Sequence, residues 1–270
     1  MTIKLAVFDL DQTLITTGER ITDRTAAHVA SLVADGLPVA LASARLDESI
    51  AVVNEAIGPR LAHISYNGAL TTLADGTIVR EVGFTIGDDL AADLAAFTER
   101  ATIDVYCSDG RWLAYGQDDA IDREEHDTWC TADLRAPHAS AADLAGLRVR
   151  KVMLEGANEL VTPLYEIVAG MDGINLTHSS LVLHDVWPAD SGKGNALAAL
   201  CEALGLTADE VIAVGDSQTD LPMVEFAGTS IAVRPGSDVL AAAATETVEG
   251  PGSDALFAAV RRLAGLPARD

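Results

Sequence analysis

The sequence predicts an α/β fold, a parallel-sheet core interrupted by an inserted α+β unit. Three observations carry that expectation. Short apolar runs bounded by polar residues recur near both ends of the 270-residue chain, as strands buried on both faces of a parallel sheet do. Helical patterns with cap signals alternate with those runs, which requires crossover connections. Between about Gly83 and Pro188 the alternation gives way to paired strands and longer helices, so the core is expected over 1–82 and 189–270 and the insert over 83–188.

Each element follows from its local residues. The strand over 4–9 is apolar from Leu5 to Phe8 and ends on Asp9. A helix over about 22–34 follows, with Thr22 as N-cap and Gly36 as terminator. The strand over 37–42 leads to a helix over 46–57, which Gly58-Pro59 stops. A strand over 61–66 precedes a hairpin over 69–82 turned at Asp75-Gly76. In the insert, a helix over 88–100 and strands over 103–107 and 111–115 come first, then a helical stretch and an Ala-rich connection. A strand over 149–155, a helix over 158–169 and strands over 174–178 and 181–187 complete it. Alternation then resumes with a helix over 192–204, a strand over 211–214, a helix over 220–226 and a strand over 230–233. Helices over 237–243 and 254–264 close the chain, and 243–253 reads as a loop.

Composition narrows the function. Hydrophobic residues make up 49% of the chain, ample for a core, yet no apolar run is long enough to span a membrane. The N-terminus runs straight into a strand without a signal-peptide pattern. Cys107, Cys130 and Cys201 are few and scattered, which argues against a disulfide framework or a cysteine zinc site. A cytoplasmic location is the expectation. The net charge of −23 argues against nucleic acid and anionic membranes as partners.

The chemistry concentrates at predicted strand ends and helix starts. Asp9-Leu10-Asp11-Gln12-Thr13 places two carboxylates where a buried strand meets solvent. Aspartates there serve either as turn residues or as a pair that draws a cation. Ser43 ends the second strand, where a helix N-cap and an anion donor are both open readings. Lys193 opens a helix, where its charge opposes the macrodipole and therefore favours a functional role. Val211-Ile212-Ala213-Val214-Gly215-Asp216 is a further strand running into an acidic cluster that ends at Asp220.

These four segments, in this order, resemble the haloacid dehalogenase superfamily of phosphotransferases. Asn67-Gly68-Ala69 after the third strand, and the long insert, resemble its Cof-type branch, subfamily IIB. The resemblance implies a Rossmann-like core with an inserted α+β cap domain. It also implies a Mg²⁺-dependent phosphatase acting on small phosphorylated metabolites, sugar phosphates above all, through an aspartyl-phosphate intermediate. A phosphomutase-like phosphotransferase and a non-catalytic, regulatory binder of phosphorylated metabolites are the alternatives.

In that reading Asp9 is the nucleophile, and Asp11 is the acid/base that also lends its backbone carbonyl to the metal. Ser43, Lys193, Asn67 and Arg45 face the phosphate. Asp9, Asp11, Asp216 and Asp220 surround Mg²⁺, with Asp220 acting through water or by orienting Lys193. Mg²⁺, Lys193 and Arg45 would locally reverse the field of an acidic protein. Lys151, His184 and Trp187 are weaker candidates in the insert, and the remaining histidines show no ligand spacing. The chain departs from the family pattern at Gln12, where glycine is usual, at Thr219, where asparagine is, and at Asp190, where a glycine often stands. Ser43-Ala44-Arg45 replaces the commoner Thr-Gly-Arg.

Overall fold

A computed structural model describes all residues except 1, 17, 179–181 and 270. The chain divides into two compact units, one formed by 1–81 with 192–270 and the other by 82–191.

The first unit opens with β1 (Leu5–Asp9), α1 (Asp23–Ala34), β2 (Val39–Ala42), α2 (Asp47–Ile57), β3 (Ala62–Ser65), β4 (Leu70–Thr72) and β5 (Ile78–Glu81). The second contains β6 (Phe84–Thr85), α3 (Asp88–Phe97), β7 (Thr102–Cys107), β8 (Trp112–Tyr115), α4 (Asp118–Thr128), β9 (Leu134–Ala136) and α5 (Ala141–Leu144). It continues with β10 (Arg148–Glu155), α6 (Asn158–Ala169), β11 (Ile174–His178) and β12 (Leu183–Pro188). The first unit resumes with α7 (Lys193–Leu204), β13 (Val211–Gly215), α8 (Leu221–Phe226) and β14 (Thr229–Arg234). It ends with α9 (Asp238–Ala243), β15 (Glu246–Glu249) and α10 (Asp254–Ala264).

In the first unit one eight-stranded sheet runs β15-β14-β13-β1-β2-β3-β4-β5. It is parallel from β15 to β3 and antiparallel beyond, where the hairpin continues it. Strand alternation sends Leu5 and Val7 of β1 into a core shared with Leu197 and Leu200 of α7 and with Met223 of α8. On the other side, Phe8 of β1 meets Phe257 of α10 at a ring-centroid distance of 6.0 Å. Thr22 caps α1 as its position predicts, accepting from the Thr25 amide.

The edge of the sheet departs from the sequence expectation. The segment over 243–253 is not wholly loop, because Glu246–Glu249 pairs in parallel with β14 as an edge strand. Its half-buried side carries Glu246 and Val248 and its exposed side Thr247 and Glu249, so a single valine gives no hydrophobic period to announce it. Trp129 ends α4 in the left-handed region, where no glycine marks the stop. The expected strand start at 181 lies outside the described residues.

The second unit is a separate sheet in the order β11-β12-β10-β7-β8-β9, with β6 added to β10. One face packs Ile103, Val105, Val152 and Leu154 against Leu90 and Leu94 of α3 and Val161 and Leu164 of α6. The described helices include none long and apolar enough to cross a membrane.

Candidate active site

Sheet register builds the site. Asp9 lies opposite Ala42 of β2, and Phe8 lies opposite Val214 of β13. Asp9, Ser43 and Asp216 therefore occupy the carboxyl ends of three adjacent parallel strands, where catalytic groups of such sheets collect. All three are buried.

The loop after Asp9 curls back on itself. The amides of Thr13, Leu14 and Ile15 all donate to the Leu10 carbonyl, and the Gln12 amide donates to Ile15 O at 2.6 Å. This curl places Gln12 at φ 61°, in the left-handed region that glycine occupies without strain. The side chain that departs from the family pattern therefore carries a conformational burden at this position. The same curl turns the buried Thr13 hydroxyl onto Asp216, donating to Oδ1 at 3.1 Å.

Lys193 is the electrostatic centre. It is 2% exposed, and its Nζ lies 2.6 Å from Asp9 Oδ1 and 2.5 Å from Asp220 Oδ1. The other Asp220 oxygen accepts from the Asp216 amide at 3.1 Å, the Ser217 amide at 2.9 Å and the Ser217 hydroxyl at 3.0 Å. Gly215 makes room for this arrangement. A Cβ there would lie 2.5 Å from the Asp220 Cβ and 2.6 Å from its carboxyl carbon.

Burial makes the charge balance decisive. Asp9, Asp216 and Asp220 bring three negative charges against one lysine. Burial, reinforced by Asp220, pushes the Asp9 carboxyl well above its usual range despite Lys193. Burial and then Asp220 likewise push Asp216 up to about 6, with the Thr13 hydrogen bond opposing. Burial alone would pull the Lys193 ammonium down, but Asp220 and Asp9 outweigh it and hold it above the usual range. A cluster with this surplus of negative charge favours a cation over a further anion.

The donor set fits Mg²⁺. One carboxylate oxygen from each of Asp9, Asp216 and Asp220 lies within 4.8 Å of the others, and oxygen is the donor that hard ion prefers. Asp220 already spends both oxygens on Lys193 and the 216–217 backbone, so Asp9 and Asp216 are the better-placed direct ligands.

The remaining predicted residues group differently. Asp11 stands apart from the trio, with both oxygens held by Arg45 in a bidentate pair at 2.8 Å. Arg45 also donates to Ser49 Oγ at 3.1 Å, so its guanidinium serves Asp11 and α2 in this state. The Ser43 hydroxyl accepts from the Arg45 amide at 3.1 Å. Asn67, at φ 52°, donates its amide to Ser43 O at 3.0 Å, and its buried side-chain Oδ1 has no hydrogen-bond partner among the described residues. In the second unit Lys151 is bound by Asp185 at 2.8 Å, and His184 is fully buried.

Sequence reasoning missed several supports. Asp47 accepts from the Ser65 hydroxyl and contacts His63 Nε2, both at 2.9 Å, which ties β3 to the start of α2. Nothing in the spacing of these residues signals that tie. Ser217 was readable, because Ser217-x-x-Asp220 is a capping-box pattern.

Comparison with known proteins follows the geometry. Residues 6–259 match the haloacid dehalogenase-like hydrolase family. A phosphoglycolate phosphatase of Halobacterium salinarum is 36% identical over 107 residues, 40% of this chain, and the match spans less than half of that relative, 46%. The Bacillus subtilis protein YxeH is 26% identical over 248 residues, covering 85% of this chain and 87% of that one. Among solved structures, a haloacid dehalogenase-like hydrolase from Bacteroides thetaiotaomicron superimposes with a TM-score of 0.84 at 22% identity, over 97% of this chain and 99% of that one. A subclass IIB sugar phosphatase of the superfamily superimposes with a TM-score of 0.76 at 16% identity, over 96% of this chain and 98% of that one.

Proposed function

Because the chain belongs to the haloacid dehalogenase-like hydrolase family, we propose that it is a Mg²⁺-dependent phosphatase of small phosphorylated metabolites, sugar phosphates foremost. The observation that carries this reading is the buried meeting of Asp9, Asp216 and Asp220 on Lys193 at the ends of parallel strands. The phosphatase-named relatives and the sugar phosphatase of like fold support the substrate class.

A phosphate monoester repels nucleophiles through its own charge, so the site must neutralise before it attacks. Asp9 attacks phosphorus in line, forming an aspartyl phosphate as the ester P–O bond breaks. Asp11 gives its proton to the departing oxygen, then takes one from the water that hydrolyses the acyl phosphate. Inorganic phosphate leaves and the Asp9 carboxylate is restored. Arg45 orients Asp11 through its paired bonds, and yields one of them when Asp11 carries its proton.

Lys193 steadies the second Asp9 oxygen and offers charge to the phosphoryl group, while Asp220 fixes Lys193. Ser43 and Asn67 supply polar groups from the neighbouring loops. Mg²⁺, held by Asp9, Asp216 and the Asp11 backbone carbonyl, would offset the charge of the phosphoryl oxygens. In this reading the unit over 82–191 is the cap that selects the leaving group.

Replacing Asp9 by Asn removes the nucleophile and should abolish phosphate release from an aryl phosphate in Mg²⁺. Persisting turnover in that variant rules out the aspartyl-phosphate route. Release by the unaltered chain without any added sugar acceptor separates hydrolysis from phosphoryl transfer between sugars.

A further inference from the structure

We infer that the first unit carries a second binding site, for a nucleotide-sized anion with a flat ring, in the cleft between α1 and α10. The chain has 18 Lys and Arg against 41 Asp and Glu, so an unselected surface should be acidic. This cleft reverses that balance. Arg24, Arg261, Arg262 and Arg269 line it, and among the described residues Asp254 is the one acid in its lining. Its volume of about 870 Å³ suits a ligand of nucleotide size. None of the proposed catalytic residues borders it.

Both halves of the recognition chemistry are in the wall. His28, with a side chain 23% exposed, stacks on the buried Phe257 at 4.6 Å with the planes 16° apart, which leaves the imidazole as the flat ring open to a ligand. Arg261 is a fixture rather than a ligand group. Its side chain is 4% exposed and is held by Asp35 at 2.7 Å, Ser31 Oγ at 2.7 Å and Pro267 O at 2.9 Å.

The other three guanidiniums are differently placed. Arg24, Arg262 and Arg269 are 72%, 61% and 49% exposed, and pair with Asp254, Glu246 and Asp35 near the surface. Exposed ion pairs of this kind are weak. A phosphate dianion accepts bidentate, charge-assisted bonds from the same guanidiniums and can take their place. The buried arginine thus shapes the cleft, while the exposed ones are available for exchange.

The test is a calorimetric titration of AMP into the full chain with Mg²⁺ present, with adenosine and inorganic phosphate titrated separately. AMP should bind saturably, and each half-ligand at least about tenfold more weakly. The double variant Arg262→Gln/Arg269→Gln should weaken AMP binding by about tenfold or more with its melting temperature and aryl-phosphate turnover unchanged. Asp9→Asn should leave AMP binding intact, so the catalytic reading and this site fail separately. Absence of saturation, equal binding by the double variant, or adenosine binding as tightly as AMP would each overturn the proposal.

Discussion

Each unit buries one lysine among three carboxylates, and the two arrangements use the same charges in opposite ways. In the second unit Lys151 is surrounded by Asp185, Glu124 and Asp104. There the acids are dispersed, each with its own donor. Asp104 accepts from Trp112 Nε1 at 2.7 Å, Glu124 from the Tyr106 hydroxyl at 2.7 Å, and Asp185 binds Lys151 at 2.8 Å. In the first unit the acids converge, and among the described residues theirs is the cluster with metal spacing. Dispersed acids are satisfied by neutral donors and by protonation. Convergent acids share one centre, which a single divalent ion can fill. Geometry, not charge count, separates a structural network from a reactive site.

Removing the lysines is the harshest test of that distinction. Lys193→Met strips the counter-charge from Asp9 and Asp220, and should lower aryl-phosphate turnover by about 10²–10³-fold. It should also destabilise the chain by about 3–5 kcal/mol, the usual effect of breaking a buried ion pair. Lys151→Met should destabilise the second unit by a similar ~3–5 kcal/mol yet keep turnover per folded molecule within severalfold. Equal catalytic losses in the two variants would erase the comparison.

Metal linkage gives the next largest effect. Mg²⁺ at about 100 times its dissociation constant should stabilise the chain by about 2.7 kcal/mol, read as a rise in melting temperature. Asp216→Asn should lose that rise, and Asp104→Asn should retain it. A Mg²⁺ response that survives Asp216→Asn would move the ion elsewhere.

The dispersed network should reveal itself through pH. Burial, with Glu124 reinforcing it, raises the Asp104 carboxyl well above its ordinary value of 3.8. A raised carboxyl binds its proton more tightly when folded. Its stabilisation is therefore full below the ordinary value and is lost as pH rises through the folded one. Asp104→Asn should consequently gain on the parent chain between pH 4 and pH 8, by on the order of 1 kcal/mol. Trp112, Trp129 and Trp187 all fall within 82–191, so tryptophan fluorescence in urea reads this unit. A constant difference across pH would show that Asp104 is not buried in charged form.

The smallest effect is expected at Gln12. Gln12→Gly relieves a left-handed φ of 61° at about 1 kcal/mol, partly offset by the added freedom of the unfolded chain. The melting temperature should rise by about 1–3 °C. A fall would mean that the Gln12 side chain contributes more than its backbone strain removes.

The core was legible because its strands are continuously apolar and aspartates interrupt them at one end. Asp9 and Asp216 each follow an uninterrupted buried run, so their place needed only the strand boundary. Lys193 stood out through its conflict with the helix dipole. What resisted reading was long-range partnership. Arg45 sits beside Ser43 in sequence but gives its guanidinium to Asp11, and no spacing announces a bond across 34 residues. Asp47, His63 and Ser65 are joined only after β2 and β3 pair. The edge strand β15 was hidden because a half-exposed strand with Val248 as its single apolar residue carries no apolar period.

Gly68 carries a last consequence. A Cβ on it would fall 2.4 Å from the Gly192 carbonyl oxygen, so the two backbones abut directly. Gly192 is the first residue after the second unit, and Glu81, the last before it, is anchored in the sheet through β5. Both ends of the interruption are thereby pinned by the first unit alone. Changes within residues 82–191 therefore need not move either splice point, nor the lysine that follows one of them.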